Sequence, residues 1–156
     1  MKLVLCHVSS AREPWAETAA EGFVKKMNPF FPMIDQPLKP KKAGREDAQF
    51  KKEAESNVIL DFIKADDYVI VFDEHGEALD SRGFAKRVEI GLGSSKKRMI
   101  FVIGGAYGMT EALLQRADRK ISLSAMTFNH VLARTVAYEQ IYRALTIIRN
   151  IPYHND

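Results

Sequence analysis

The run Met99-Ile100-Phe101-Val102-Ile103 enters from Arg98 without a single polar residue and stops at Gly104-Gly105-Ala106-Tyr107-Gly108. A strand with polar alternation can leave one face in water, whereas a strand without it needs cover on both. That places this one inside a largely parallel sheet with helices on both faces. A short helical piece from Thr110 to Ala117 follows. A second strand, Lys120-Ile121-Ser122-Leu123-Ser124, is also read as interior, and it runs through Ala125-Met126-Thr127-Phe128-Asn129-His130 into a long helix. In open α/β sheets ligands bind beyond the carboxyl ends of the strands, and glycine admits a ligand that a Cβ would exclude. Two loops of small residues side by side therefore predict one pocket.

The remainder of the chain repeats the strand-helix alternation, which argues for an α/β fold in one domain spanning residues 1–156. Lys2-Leu3-Val4-Leu5-Cys6-His7-Val8 reads as a buried strand closing at Ser9-Ser10. Pro14 suits the first turn of a helix, with Trp15, Ala19, Phe23 and Met27 predicted as its core stripe. Pro32 and Pro37 demote Phe31 to Leu38 to a short or edge strand. Lys39-Pro40-Lys41-Lys42-Ala43-Gly44-Arg45 is a basic loop, either a solvated connection or an arm for phosphates. A second helix is expected from Glu46 to Lys64 with Phe50, Ala54, Val58 and Phe62 inward. Asp67 to Phe72 is the next strand, turned at Gly76. Ser81 is the expected N-cap of a helix carrying Phe84, Ala85 and Val88. The last helix, His130 to Asn150, has Ala133, Ala137, Ile141, Leu145 and Ile148 along one side and His130, Arg134, Tyr138 and Tyr142 along another, the latter a candidate dimer face. The tail Ile151-Pro152-Tyr153-His154-Asn155-Asp156 has the composition of a frayed end.

Several chemistries are poorly served. Gly104-Gly105-x-x-Gly108 lacks the dinucleotide spacing and the Lys-Ser/Thr ending of a phosphate loop. The four histidines are scattered without metal-ligand spacing, and no serine or cysteine sits in a nucleophile elbow. The single Cys6 fits a reducing compartment, and no apolar run reaches the roughly 18 residues of a membrane span, so a cytoplasmic protein is expected. A net charge of +3 is compatible with a polyanionic partner and does not require one. What remains is a slot lined by backbone, suited to an adenosine-sized ligand.

Phe72-Asp73-Glu74-x-Gly76, Ser81, Phe84-Ala85, Phe101-Val102-Ile103-Gly104-Gly105-x-x-Gly108, Ser122-Leu123-Ser124-x-Met126-Thr127-Phe128-x-His130, Arg134, Glu139-Gln140-x-Tyr142-Arg143-Ala144 and Tyr153-His154 occur in this order. This set resembles the SPOUT-class ribosomal RNA large-subunit methyltransferase H family over nearly the whole chain. The resemblance implies a SPOUT fold with a C-terminal trefoil knot and a homodimer. It also implies S-adenosyl-L-methionine as methyl donor and N3 of a pseudouridine in large-subunit (23S) rRNA of the assembled ribosome as acceptor. It implies a cofactor pocket at Phe72, Gly105, Ser124, Ala125, Met126, Thr127, Phe128 and Asn129; no metal is expected, from the scattered histidines. Three positions depart from the usual pattern: Asn129 replaces a common proline, Phe72 a usual leucine, and Asp80-Ser81-Arg82 a usual Ser-Ser-Glu.

A pseudouridine N3–H is a weak acid and must lose its proton to attack the methyl group, so a cation to stabilise the imidate and a base to accept the proton are expected. His154, Tyr153, Arg134 and Arg143 are the candidates. The alternative is a non-catalytic RNA- or ribosome-binding protein of the same fold. Its support is the Lys39 to Arg45 loop and Lys96-Lys97-Arg98. A glycine loop of this kind is not required by such a protein.

Overall fold

The computed structural model describes residues 1–8, 12–41 and 47–156. Its sheet has five parallel strands, β1 (Lys2–Val8), β2 (Met33–Leu38), β3 (Asp67–Ala78), β4 (Arg98–Ile103) and β5 (Arg119–Ser122), in the order β2-β1-β4-β3-β5. The helices are α1 (Pro14–Met27), α2 (Ala48–Phe62), α3 (Ser81–Leu92), α4 (Glu111–Arg116) and α5 (His130–Ile148). Ser9-Ser10, the cationic residues Lys42 and Arg45, and the expected helix start at Glu46 lie outside the described residues.

β4 is central, as its apolar run demands. Residues of one parity, Leu3, Leu5, Ile70, Phe72, Met99 and Phe101, pack under α1, α3 and α5. Those of the other parity, Val4, Cys6, Val69, Val71, Ile100 and Val102, pack under α2 and α4. β5 is not interior. It is the edge beyond β3, with Ile121 its only buried residue, and Lys120-Ile121-Ser122 alternates as a half-wet strand should. β2, with Pro37, holds the opposite edge, where the missing N–H breaks no ladder.

The helix stripes need correction. In α1 the buried residues are Ala16, Ala20 and Met27, while Trp15 is 51% exposed. Four residues turn an α-helix about 40° past one revolution, so a strict four-residue spacing walks off the core within three steps. α2 buries Ser56 and Ile59 rather than Phe50, which is exposed. Tyr138 of α5 is fully buried, because α5 lies between α1 and α3 against the sheet and has two covered flanks. It cannot serve as an outward dimer face. The N-cap of α3 is Asp80, which accepts from the Gly83 N–H at 2.7 Å, and Ser81 is already helical.

β3 does not turn at Gly76. Phe72 and Glu77 both pair with Ile121, so the residues between them bulge and the strand then resumes alongside β5. A Cβ on Gly76 would lie 2.6 Å from the Ile121 nitrogen, so glycine is required here for strand approach. Gly76→Ala is therefore expected to push β5 away and to cost about 1–3 kcal/mol. Urea denaturation measures it, and an unchanged midpoint would mean that β5 shifts without loss.

Candidate functional site

The loops after β4 and β5 meet at the bulge of β3 and enclose a cavity of about 530 Å³. Its walls are Phe72, Asp73 and Glu74 of β3, the segment Ile103 to Met109, Leu123, Ser124 and Met126 to Asn129, and His130 and Ala133 of α5. Of the expected cofactor residues, Phe72, Gly105, Ser124, Met126, Thr127, Phe128 and Asn129 line it, and Ala125 does not. Phe72 is 7% exposed, held at 5.9 Å from the Phe84 ring and 6.2 Å from the Phe101 ring, so its position is set by the core.

Local hydrogen bonds shape the second loop. Ser124 Oγ accepts from the Met126 N–H at 2.9 Å, and the Asn129 side chain accepts from the Val131 N–H at 2.8 Å, capping α5. Asparagine at this position thus supplies a helix cap that a proline side chain cannot. Thr127 donates to Glu74 at 2.9 Å, which ties this loop to the β3 bulge. Among the described residues, the lining holds two carboxylates, Asp73 and Glu74, and neither lysine nor arginine. Such a wall disfavours phosphate and suits a ligand that carries positive charge. The sequence predicts a loop at the end of the Asp67 to Phe72 strand that could face the pocket, and Asp73 and Glu74 do line it, as bulge residues of a longer β3 rather than as a turn.

Arg134 is 4% exposed and lies outside the cavity lining in an ionic cluster whose two carboxylates, Asp35 and Glu17, are half-buried. Its guanidinium donates to Asp35 at 2.7 and 3.2 Å and to Glu17 at 2.9 and 3.4 Å. Asp35 also accepts from the Tyr138 hydroxyl at 2.5 Å and lies 3.1 Å from His7 Nε2. Burial pushes the Asp35 carboxyl up, but His7, Tyr138 and Arg134 outweigh it and bring it down to about 2. Burial and then Asp35 push the Tyr138 phenol up. Arg134 therefore does not face the cavity. It fixes the first turns of α5, whose His130 and Ala133 do. Asp35 and Glu17 were not singled out from sequence. The available signal was an acid among the apolar residues of β2.

The tail is ordered rather than frayed. Tyr153 meets Tyr142 edge-on at 4.7 Å, lies under the Arg143 guanidinium at 4.8 Å and donates to Glu139 at 3.0 Å. Burial, then Glu139, raise the Tyr153 phenol, which makes it a donor and a stacking surface and unsuited to be a base. His154 Nδ1 lies 3.0 Å from Arg143 Nη1, and Arg82 pairs with Asp156. Arg143, Tyr153 and His154 are thus brought together, on the C-terminal half of α5. About 15 Å of helix separates Arg143 from Ala133 at the cavity. Cys6 is buried, and burial pushes its thiol up to about 12, so it offers no nucleophile. Among the described residues no cluster of acidic, histidine or cysteine side chains could hold a metal, and no helix is long and apolar enough to cross a membrane.

A parallel α/β sheet with a ligand cavity at its carboxyl edge, bounded by a glycine loop and a serine-rich loop leading into the last helix, agrees with the family match. Residues 1–154 match the model described as "Predicted SPOUT methyltransferase", and the chain belongs to that methyltransferase family. Among its relatives, the protein named "Ribosomal RNA large subunit methyltransferase H" in Bdellovibrio bacteriovorus is 54% identical over 155 residues, covering 99% of each chain. The protein of the same name in Syntrophotalea carbinolica is 37% identical over 155 residues, again covering 99% of each. A solved structure described as a probable methylase family protein from Haemophilus influenzae superposes with a TM-score of 0.56 at 13% identity, over 95% of this chain and 66% of that one, which shows likeness of fold.

Proposed function

We propose that the protein transfers a methyl group from S-adenosyl-L-methionine to N3 of a pseudouridine in 23S rRNA of the assembled ribosome, acting in the cytoplasm. The observation that supports the choice of donor is the charge of the cavity wall, two carboxylates and, among the described residues, no lysine or arginine, in a cavity large enough for one adenosine-sized ligand. A sulfonium cofactor is a cation with an adenine, and this wall suits it where it would repel a nucleotide polyphosphate. Large-subunit ribosomal RNA as the acceptor is supported by the names of the relatives, and the pseudouridine N3 and the assembled ribosome are what the family resemblance implies.

Bound there, S-adenosylmethionine supplies a methyl group on positively charged sulfur. Phe72 would offer an apolar wall for the adenine, the loop from Ile103 to Met109 would offer backbone groups, and the Thr127 to Glu74 hydrogen bond would hold the two walls together around it. The acceptor N3 gives up its proton to His154 directly or through water, while Arg143 stabilises the resulting imidate and Tyr153 stacks on the exposed base. Holding donor and acceptor in line supplies roughly 7–11 kcal/mol of the rate enhancement. Arg134 contributes by fixing α5 beneath the Ser124 to Asn129 loop.

Because Arg143, Tyr153 and His154 do not line the cavity of their own chain, both groups of residues can serve one reaction only if a second copy completes the site. This supports a homodimer. The exposed apolar side chains on the packed helices α1 and α5 are Trp15 and Leu132, and these replace Tyr138 as candidates for its interface. A C-terminal trefoil knot in a single SPOUT domain belongs to the same reading.

Deleting Tyr153 to Asp156 tests it. Affinity for S-adenosylhomocysteine in calorimetry is expected to stay nearly constant. Single-turnover transfer of labelled methyl to ribosomes is expected to fall by at least about tenfold, or roughly 1.4 kcal/mol. Full transfer by the truncated protein would remove the tail from the reaction. Absence of transfer by the intact protein to any ribosomal RNA would overturn the reading.

A further inference from the structure

Behind the glycine loop, on the opposite face of the sheet from α5, α2 touches the loop at three successive points. Lys51 Nζ lies 5.2 Å from the centre of the Tyr107 ring and 3.4 Å from its hydroxyl. Ser56, 1% exposed, accepts from the Thr110 N–H at 2.9 Å where the loop enters α4. Between them, the Glu55 carboxyl packs directly on Gly105, so closely that a Cβ there would lie 2.1 Å from Oε2. That oxygen is buried and has no hydrogen-bond partner among the described residues. The outer contacts are made, and the middle one brings a carboxyl oxygen to a backbone without using it. An unpaired buried oxygen is a cost that a structure carries when another state of the site repays it.

We infer that Glu55 is a positioning residue of the methyl-transfer site, whose carboxyl accepts backbone N–H groups of the loop around Gly105 when that loop closes on the cofactor. The inference rests on the reading of the cavity as an S-adenosylmethionine site. Glu55 does not line the cavity and acts through Gly105, which does. Burial raises the Glu55 carboxyl, and Lys51 is the charged group that opposes this. Among the described residues, the other titratable groups on the elements against α2 include Tyr107, Glu111 and Arg116 on the loop and α4, Lys2, Cys6 and His7 on β1, and Arg98 on β4, which donates to the Phe62 carbonyl. Donation of N–H groups to the carboxylate favours its ionised form, so binding releases a proton and affinity rises as pH rises through the raised Glu55 value.

Calorimetric titration of intact protein with S-adenosylhomocysteine from mildly acidic to neutral pH, with thermal melts of the free protein, tests this on the wild type, Glu55→Gln and Glu55→Ala. Glu55→Ala is expected to bind at least about tenfold more weakly while the free protein melts higher, because a buried unpaired oxygen has been removed. Glu55→Gln keeps shape and a carbonyl acceptor, so it is expected to bind within about tenfold of the wild type and to lose the pH dependence. A merely structural glutamate would instead lower the melting temperature and leave the pH profile unmoved. Wild-type affinity and pH slope in both variants would overturn the role of Glu55 while leaving the cofactor site standing. No binding by the wild type would overturn the cofactor reading and this inference with it.

Discussion

Asp35→Ala is expected to destabilise the protein by about 3–5 kcal/mol, a large share of the roughly 5–15 kcal/mol that holds a domain of this size together. The substitution leaves the buried Arg134 guanidinium with Glu17 as its only anion and strips the Tyr138 hydroxyl and His7 of their shared acceptor. Asp35→Asn keeps the volume and an acceptor and is expected to lose less. Urea denaturation at neutral pH decides it, and a loss below about 1 kcal/mol for the alanine variant would show that the cluster carries little net stability. The pH dependence has a definite sign. The carboxyl titrates at about 2 in the folded protein against 3.8 ordinarily, so folding favours its ionised form. Its contribution, about 2 kcal/mol, is complete above the ordinary value and is lost as pH falls from there towards 2. Asp35→Asn should therefore flatten the acid limb of the stability curve.

Gly105→Val is expected to weaken binding of S-adenosylhomocysteine by at least about a hundredfold, or roughly 2.7 kcal/mol, with a small change in stability. The cause is not a side chain entering the cavity. A Cβ at Gly105 meets Glu55 Oε2 at 2.1 Å and Cδ at 2.5 Å, so a branched side chain drives the loop and α2 apart and spoils the wall that Gly105 contributes. Glu55 can swing aside, which limits the cost to folding. Calorimetry on the folded variant checks this, and undiminished affinity would separate Gly105 from ligand binding. The same experiment with Gly105→Ala in a Glu55→Ala background is expected to recover part of the loss caused by Gly105→Ala alone, since the clash has then been removed from the α2 side.

Burial was legible wherever it was continuous. The run from Met99 to Ile103 identified β4 as central, and the prolines around β2 identified an edge. Periodicity was a poorer guide to helix faces. A spacing of four placed Trp15 and Phe50 inside, where the true repeat of the helix leaves both exposed. Tyr138 was misplaced for another reason. The covered sides of a helix depend on its neighbours, and α5 has one on each flank.

The sequence by itself determined the parallel α/β class, the two loops that enclose the cavity and, through resemblance, the methyltransferase family, because apolar runs and ordered motifs are local properties of a chain. Only the tertiary structure decided which acids act together. Asp35 and Glu17 meet Arg134 across more than ninety intervening residues in each case, and Glu55 reaches Gly105 from the far side of the sheet. Asp73 and Glu74 line the cavity where β3 bulges and β5 approaches Gly76. Such charges are placed by strand order and register, which long-range packing sets and no short stretch of residues encodes.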